Sequence, residues 1–281
     1  MDKIIPMSKI LDGKALSEKI ITKIRQEMAN LENPPGLAAI LVGEDSSSRL
    51  YVDLKKKACQ KCGINFHEYL FDEDQTTQNV IETIKFLNKD PETNGILVQL
   101  PLPDNFDTEK IIEAIDYRKD IDGFHPKNRE NMDKCVYKVL PPLPAGIKEL
   151  LDSTKETIEN KTITVLCNNP IFGSPFKYLY GTKNKVNVVT PKDKTWKQNV
   201  SDADILISSV GVPYLIDKEM IKKDSTIIDV GINKLDNGET VGDVNIADVI
   251  DKVAHITPVP GGVGPMTVAM LLKNLIQIAK H

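Results

Sequence analysis

The chain has 281 residues, of which 41% are hydrophobic and 27% charged, and a formal net charge of −4. That length suits one large or two medium domains with a real core, and the acidic balance argues against nucleic acid as main partner, because phosphate binding needs a basic field. No apolar run approaches the ~18 residues of a membrane span, and the opening MDKIIPMSKI lacks a signal peptide's long apolar centre; the expectation is a cytoplasmic protein with no membrane partner.

In chain order, Leu16, Ile20, Ile24, Met28 and Leu31 repeat at helical spacing, predicting a helix over 15–31 that Asn33-Pro34-Pro35-Gly36 ends. Leu37 to Val42 reads as a strand covered on both faces. Asp45 is positioned to cap a helix that runs to Gly63. On that helix Ser48, Tyr51 and Lys55 are three and then four residues apart, which brings a hydroxyl, a phenol and an amine onto one face. A strand over 64–70 and a helix over 76–87 follow. Gly95 to Leu100 is a third buried strand, placing Gln99 at a carboxyl end, where α/β sheets bind ligands. After a helix over 107–115, Asp120 and Asp122 stand two apart before Gly123, a pattern compatible with a plain turn or a binding pair.

Pro141-Pro142-Leu143-Pro144 reads as a rigid, extended domain boundary before a helix over 145–152. Beyond it, strands are predicted over 162–167, 186–190, 204–208 and 226–230, with a further one over 253–256. Parallel strands alternating with short helices are the pattern of a nucleotide-binding sheet. Small residues follow two of those strands, Ser208-Ser209-Val210-Gly211 and Gly231-Ile232-Asn233, and let backbone approach a pyrophosphate or nicotinamide ring. The loop Thr257 to Thr267 is rich in proline and glycine, and a helix over 268–279 closes the chain.

The cysteines are Cys59, Cys62, Cys135 and Cys167. Cys59-Gln60-Lys61-Cys62 has redox or zinc spacing, but both thiols fall in one helix with no second Cys/His pair near, so free thiols are expected. His67, His125, His255 and His281 are too scattered for a metal centre, and no metal is expected.

Six blocks in order then carry a resemblance: Ser48-x-x-Tyr51-x-x-x-Lys55-x-Lys57-Ala58, Gly95 to Pro103, Lys119 to Pro126, Ile228 to Asn233, Val241 to Val244, and Pro258 to Thr267. The chain resembles the bifunctional methylenetetrahydrofolate dehydrogenase/methenyltetrahydrofolate cyclohydrolase family, called FolD in bacteria, over nearly its whole length. The resemblance implies an α/β protein: a catalytic domain over 1–144, a Rossmann-like dinucleotide-binding domain over 145–265, and a final helix over 266–281 that returns to the first domain. It implies folate in a cleft between the domains and a homodimer formed through the second. Carried over, Lys55 transfers protons, Tyr51 packs on the folate, Gln99 tunes Lys55 and Asp122 bonds the pterin. Ser48, Val98 and Leu100 join them in substrate binding, and Pro260, Gly261, Gly262 and Val263 form a wall of the cleft. For the cofactor it implies Asn168, Asn169, Ile171, Gly173 and Ser174 on the first turn and Lys192 after the next strand. Ser209, Val210, Gly211, Gly231, Ile232 and Thr267 complete the set.

The implied reaction is oxidation of 5,10-methylenetetrahydrofolate with NADP, NAD being the alternative, followed by hydrolysis to 10-formyltetrahydrofolate in one-carbon metabolism. One region departs from the family. Its usual Gly-Arg-Ser-x-Ile-Val-Gly-x-Pro turn reads here Cys167-Asn168-Asn169-Pro170-Ile171-Phe172-Gly173-Ser174-Pro175, and its Cys-His-Ser after the next strand reads Pro191-Lys192-Asp193. The arginine and serine suited to a 2′-phosphate are thus absent, and Lys192 is the expected substitute charge. Three outcomes stay open: weak 2′-phosphate preference, NADP retained through Lys192, or a cyclohydrolase with impaired dehydrogenase. A non-catalytic folate-binding paralogue and a different two-domain dehydrogenase are the other classes; Lys55 with Gln99 weighs against the first, and the 259–267 loop against the second.

Overall fold

The computed structural model describes residues 9–29, 31–134 and 139–280. Cys135 and His281 lie outside these. The chain divides into two compact units, Glu18–Pro142 with Val268–His281 and Met1–Ser17 with Leu143–Thr267.

The first unit contains most of α1 (Gly13–Met28), then β1 (Gly36–Val42), α2 (Ser46–Cys62), β2 (Asn65–Phe71), α3 (Thr77–Lys89), β3 (Thr93–Val98), α4 (Thr108–Ala114) and α5 (Pro126–Asp133). Its strands form a parallel sheet in the order β2-β1-β3. All seven residues of β1 are buried because alternate side chains enter two separate cores. Leu37 and Ala39 pack with Ile24, Met28, Ala58 and Cys59, whereas Ala38, Ile40 and Val42 pack with Val80, Ile84 and Leu87 of α3. The mixture of aliphatic residues on both faces explains why β1 reads as a continuous apolar run.

In the second unit, α6 (Pro142–Ser153) is followed by β4 (Thr162–Cys167), α7 (Ser174–Tyr180), β5 (Lys185–Val189), α8 (Trp196–Ser201), β6 (Ile205–Ser209), β7 (Thr226–Asp229), β8 (Asn233–Lys234), β9 (Thr240–Val241), α9 (Ile246–Val249) and β10 (His255–Ile256). Five strands form one parallel sheet in the order β10-β7-β6-β4-β5, the nucleotide-binding pattern expected from the sequence. Residues 9–17, expected with the first domain, pack in this unit: Leu11 N donates to Ile256 O at 2.8 Å, and Lys14 N to Gly261 O at 2.9 Å. Gly13 permits that approach, since a Cβ there would lie 1.8 Å from Gly262 O.

The last helix, α10 (Val263–Ala279), contributes Leu271, Leu272, Leu275 and Ile276 to the core of the first unit. Gly95 on β3 lies tightly below it, since a Cβ there would meet Leu275 Cδ1 at 2.7 Å and Ile121 Cγ2 at 2.5 Å.

Two helices begin earlier than expected, and proline explains both. Pro142 and Pro144 lie in the first turn of α6 instead of an extended linker, and Pro265 lies in the first turn of α10. Those positions leave an N–H without an intrahelical partner, so proline's missing donor is harmless there. Helix α5 and the β8–β9 pair were not anticipated, being short and polar. Among the described residues no helix is long and apolar enough to cross a membrane, and no group of three His, Cys, Asp or Glu could hold a metal.

Candidate active site

Helix α2 starts on Asp45, whose carboxylate accepts from Ser48 N at 2.7 Å, and stops at Gly63, which takes the left-handed conformation at φ 71°. The Ser48 hydroxyl also faces Asp45, so that side chain is committed to capping the helix. Tyr51 is exposed one turn further on. One more turn along, Lys55 Nζ donates to Gln99 Oε1 at 2.8 Å.

Gln99 is well fixed for that contact. It is buried just past the end of β3, its backbone N–H donates to Ile40 O at 2.9 Å, and its Nε2 donates to Leu100 O at 2.8 Å. The amide orientation is therefore set, with oxygen toward the lysine. Burial lowers the Lys55 pKa below 10.5, opposed by the charge of Asp122 and by Cys59. The Cys59 thiol is pushed up to about 12, chiefly by burial, so it stays neutral near pH 7. Cys59, Cys62 and Cys167 are free and buried, as the helical placement of the first two suggested.

The two carboxylates before Gly123 have separate tasks. Asp120 is buried and accepts from Gly123 N at 3.0 Å, His125 N at 2.8 Å and Asn128 Nδ2 at 2.9 Å, which makes it the organiser of the turn. Asp122 accepts no hydrogen bond among the described residues and is free for a ligand. Its pKa is raised to about 6 by burial, with Lys55 opposing and Asp120 adding to the rise. Asn274 of α10 holds this segment, donating to Ile121 O at 2.9 Å and Leu140 O at 2.8 Å. Sequence reasoning passed over Asn274, although an amide inside the apolar run of the last helix is a signal that could have found it.

A test follows from the sign of the Asp122 shift. A carboxylate raised from 3.8 to about 6 destabilises the folded chain fully above pH 6, and that penalty disappears as pH falls toward the unfolded value. Asp122→Asn is expected to stabilise the protein by about 2 kcal/mol at pH 7.5, with the gain gone near pH 4. Thermal melts of both proteins at the two pH values measure it.

In the second unit the strand ends carry a different network. The buried Asp243 carboxylate accepts from Ser208 Oγ at 2.8 Å, Val210 N at 2.7 Å, Gly211 N at 3.0 Å, Val212 N at 3.1 Å and Asn233 Nδ2 at 3.2 Å. Asp229, at the end of β7, accepts from Gly231 N at 2.9 Å, Asp243 N at 3.1 Å and Val244 N at 2.8 Å. Burial raises its pKa to about 7, against those backbone hydrogen bonds and with some help from Asp243. Gly231 and Gly242 are needed here for space: a Cβ would lie 2.2 Å from Asp243 Oδ1 at the first and 2.0 Å from Asp229 Oδ2 at the second. Gly231, one of the small residues noted in the sequence, thus makes room for a carboxylate of the protein itself. Ser209 is half-buried, Val210 and Gly231 are buried, and Gly211 and Ile232 are exposed.

On the first turn Asn168 and Asn169 are exposed, but their amides bond back to the protein's own backbone. Asn168 Nδ2 donates to Val210 O at 2.5 Å, Asn169 Oδ1 accepts from Ile171 N at 3.0 Å, and Cys167 Sγ lies 3.3 Å from Asn169 O. Gly173 is buried, and a Cβ there would meet Val188 Cγ1 of β5 at 2.4 Å. Ile171, Ser174 and Lys192 are exposed. In the Thr257–Thr267 loop, Gly261 has φ 105° and Thr267 Oγ1 donates to Gly264 O at 2.7 Å. Pro260 is exposed, whereas Gly262 and Val263 are buried. Val98 is buried at the end of β3, and Leu100 is half-buried.

A lysine with suppressed basicity on one α/β unit, and a parallel nucleotide-binding sheet with ordered strand-end loops on the other, define a two-domain dinucleotide-binding α/β protein. Comparison with known families is more specific. Residues 11–122 match the catalytic domain of tetrahydrofolate dehydrogenase/cyclohydrolase, and residues 141–281 match its NAD(P)-binding domain. The chain belongs to the tetrahydrofolate dehydrogenase/cyclohydrolase family. It is 42% identical to the bifunctional protein FolD of Nautilia profundicola, covering 97% of both chains, and 44% identical to that of Aquifex aeolicus, covering 98% of this chain and 96% of the relative. Among solved structures, the FolD enzyme of Campylobacter jejuni superposes with a TM-score of 0.93 at 39% identity, covering 96% of this chain and 98% of the other. The Trypanosoma brucei FolD, solved with NADP and an inhibitor, gives 0.91 at 32% identity, covering 98% of each.

Proposed function

We propose that the chain oxidises 5,10-methylenetetrahydrofolate to 5,10-methenyltetrahydrofolate with NAD(P) and hydrolyses the product to 10-formyltetrahydrofolate. The observation that carries the reading is the 2.8 Å contact from Lys55 to a fixed amide oxygen, beside the free carboxylate of Asp122. Hydrolysis adds water to the cationic methenyl carbon and needs a base for the water's proton. An amine with ordinary basicity is protonated at neutral pH and cannot serve. Burial of Lys55 favours the neutral amine, while Gln99 accepts one N–H and orients the nitrogen without the charge that would keep it protonated. The carbon–N5 bond then breaks as N5 takes a proton, leaving the 10-formyl group and releasing one proton overall.

Asp122 is the group for the pterin edge, where a carboxylate pairs with two donors and discriminates against rings lacking them. Tyr51 packs against the folate, with Ser48 holding the start of its helix and Val98, Leu100 and the 260–263 loop completing the folate contacts. The dinucleotide accepts a hydride when bound, and alignment of the two rings supplies most of the catalysis for that step. For this chain that means the loops at Ser209–Gly211 and Gly231–Ile232, kept in place by Asp243 and Asp229, with the 168–174 turn and Thr267 as further contacts. The same reading makes the unit of residues 18–142 with 268–280 the folate domain, and the protein a cytoplasmic homodimer, which sedimentation at micromolar concentration tests.

The pH profile is the experiment for the hydrolytic step. Cyclohydrolase rate, corrected for uncatalysed hydrolysis, is expected to rise with pH as Lys55 loses its proton and to level off below the ordinary lysine value of 10.5. A rising limb that survives in Lys55→Met would assign the base elsewhere.

A further inference from the structure

The coenzyme preference can be read from the second unit, given the dehydrogenase reading above. In the sheet order β10-β7-β6-β4-β5, the chain leaves β4 toward β5 on one side and continues through β6, β7 and β10 on the other. A dinucleotide at such a switch point lies across the strand ends, with its adenosine half toward the second strand of the first βαβ, here β5. The adenosine ribose therefore meets the turn that follows β5.

That turn is Thr190-Pro191-Lys192-Asp193. Asp193 Oδ2 accepts from Thr190 N at 2.6 Å and from Thr190 Oγ1 at 3.1 Å, which anchors the carboxylate at the strand end. Its other oxygen has no partner among the described residues. Asp193 follows Gly173 by about 20 residues, the separation at which an acidic residue meets the ribose 2′-hydroxyl in NAD-binding sheets.

The groups that would instead favour a 2′-phosphate are missing from the first turn. Asn168 and Asn169 replace the expected arginine and serine, and each is bonded within the protein, to Val210 O and Ile171 N. Lys192, Asp193 and Lys194 are all exposed, but of the three only Asp193 has its charged group held by hydrogen bonds among the described residues. An exposed ammonium is a hydrated, mobile point charge and binds phosphate less well than a fixed guanidinium fork. The charge fixed in place at this strand end is negative.

We propose that Asp193 makes NAD the preferred coenzyme, its carboxylate accepting the hydrogen bond of a free 2′-hydroxyl and repelling a 2′-phosphate. Isothermal titration of the full chain with NAD and with NADP tests this without reference to turnover. NAD is expected to bind at least about tenfold more tightly, and Asp193→Asn, which keeps an acceptor for Thr190, to reduce that preference by about tenfold. The proposal is overturned if NADP binds as tightly as NAD, if Asp193→Asn leaves the ratio unmoved, or if Lys192→Ala moves it more than Asp193→Asn does. Binding of neither dinucleotide would overturn the dehydrogenase reading as well, and a cyclohydrolase assay on the same sample separates that failure from a misfolded preparation.

Discussion

Lys55→Met is expected to lower methenyltetrahydrofolate hydrolysis by about 10²- to 10⁴-fold, the range that a positioned general base contributes. Folate binding, measured by equilibrium dialysis, should change little, because methionine keeps the length and the apolar stem of the side chain. The magnitude follows from how completely the site is arranged around one nitrogen. Gln99 has both amide atoms engaged, one by Lys55 and one by Leu100 O, so no second acceptor is available to recruit another base. Lys56, next in sequence, cannot substitute, since its ammonium is paired with Glu68 at 3.1 Å. Retention of wild-type hydrolysis by the variant would remove Lys55 from the mechanism.

Asp243→Asn is expected to weaken dinucleotide binding by more than about tenfold while leaving a functioning cyclohydrolase. Both carboxylate oxygens accept hydrogen bonds, Oδ1 from Gly211 N, Val212 N and Asn233 Nδ2, and Oδ2 from Ser208 Oγ and Val210 N. An asparagine has one acceptor oxygen, so its NH₂ must face donors on one side or the other. Losing two such bonds to a charged acceptor, and leaving the donors buried, costs about 2–4 kcal/mol. The loss falls on the loops after β6 and β7, which belong to the second unit, whereas Lys55, Gln99 and Asp122 belong to the first. Comparing dinucleotide affinity with cyclohydrolase kcat in one preparation measures the split. Equal loss of both would show that Asp243 supports the whole chain rather than the cofactor loops.

The parts of this protein that were legible in its sequence are those where one physical requirement acts on neighbouring residues. Helical spacing put Ser48, Tyr51 and Lys55 on one face, the run from Leu37 to Val42 marked a strand covered on both sides, and the alternation after Thr162 marked the parallel sheet. The pairing of Lys55 with Gln99 needed the family resemblance, because 44 residues separate them and nothing local connects an amine on a helix to an amide at a strand end. Asp243 was hidden for a similar reason. Its five donors come from β6, the loop after it and Asn233, so the sequence displayed Gly231, which makes room for it, and the Val241 to Val244 block that holds it, but not the contact between them. Asp120 and Asp122 are alike in local pattern and only the family resemblance singled out Asp122; the structure gives the reason, one carboxylate being turned into its own loop and the other left free.

The covering of β1 by α10 has a consequence for how the protein is made. Leu271, Leu272, Leu275 and Ile276 complete one face of the first unit's core, and Asn274 secures the segment bearing Asp122. These residues are translated only after the whole of Leu143–Thr267. A nascent chain therefore finishes its dinucleotide-binding half first, while the folate half waits with an uncovered sheet and an unsecured carboxylate. Ribosome-bound intermediates should acquire dinucleotide affinity before hydrolytic competence.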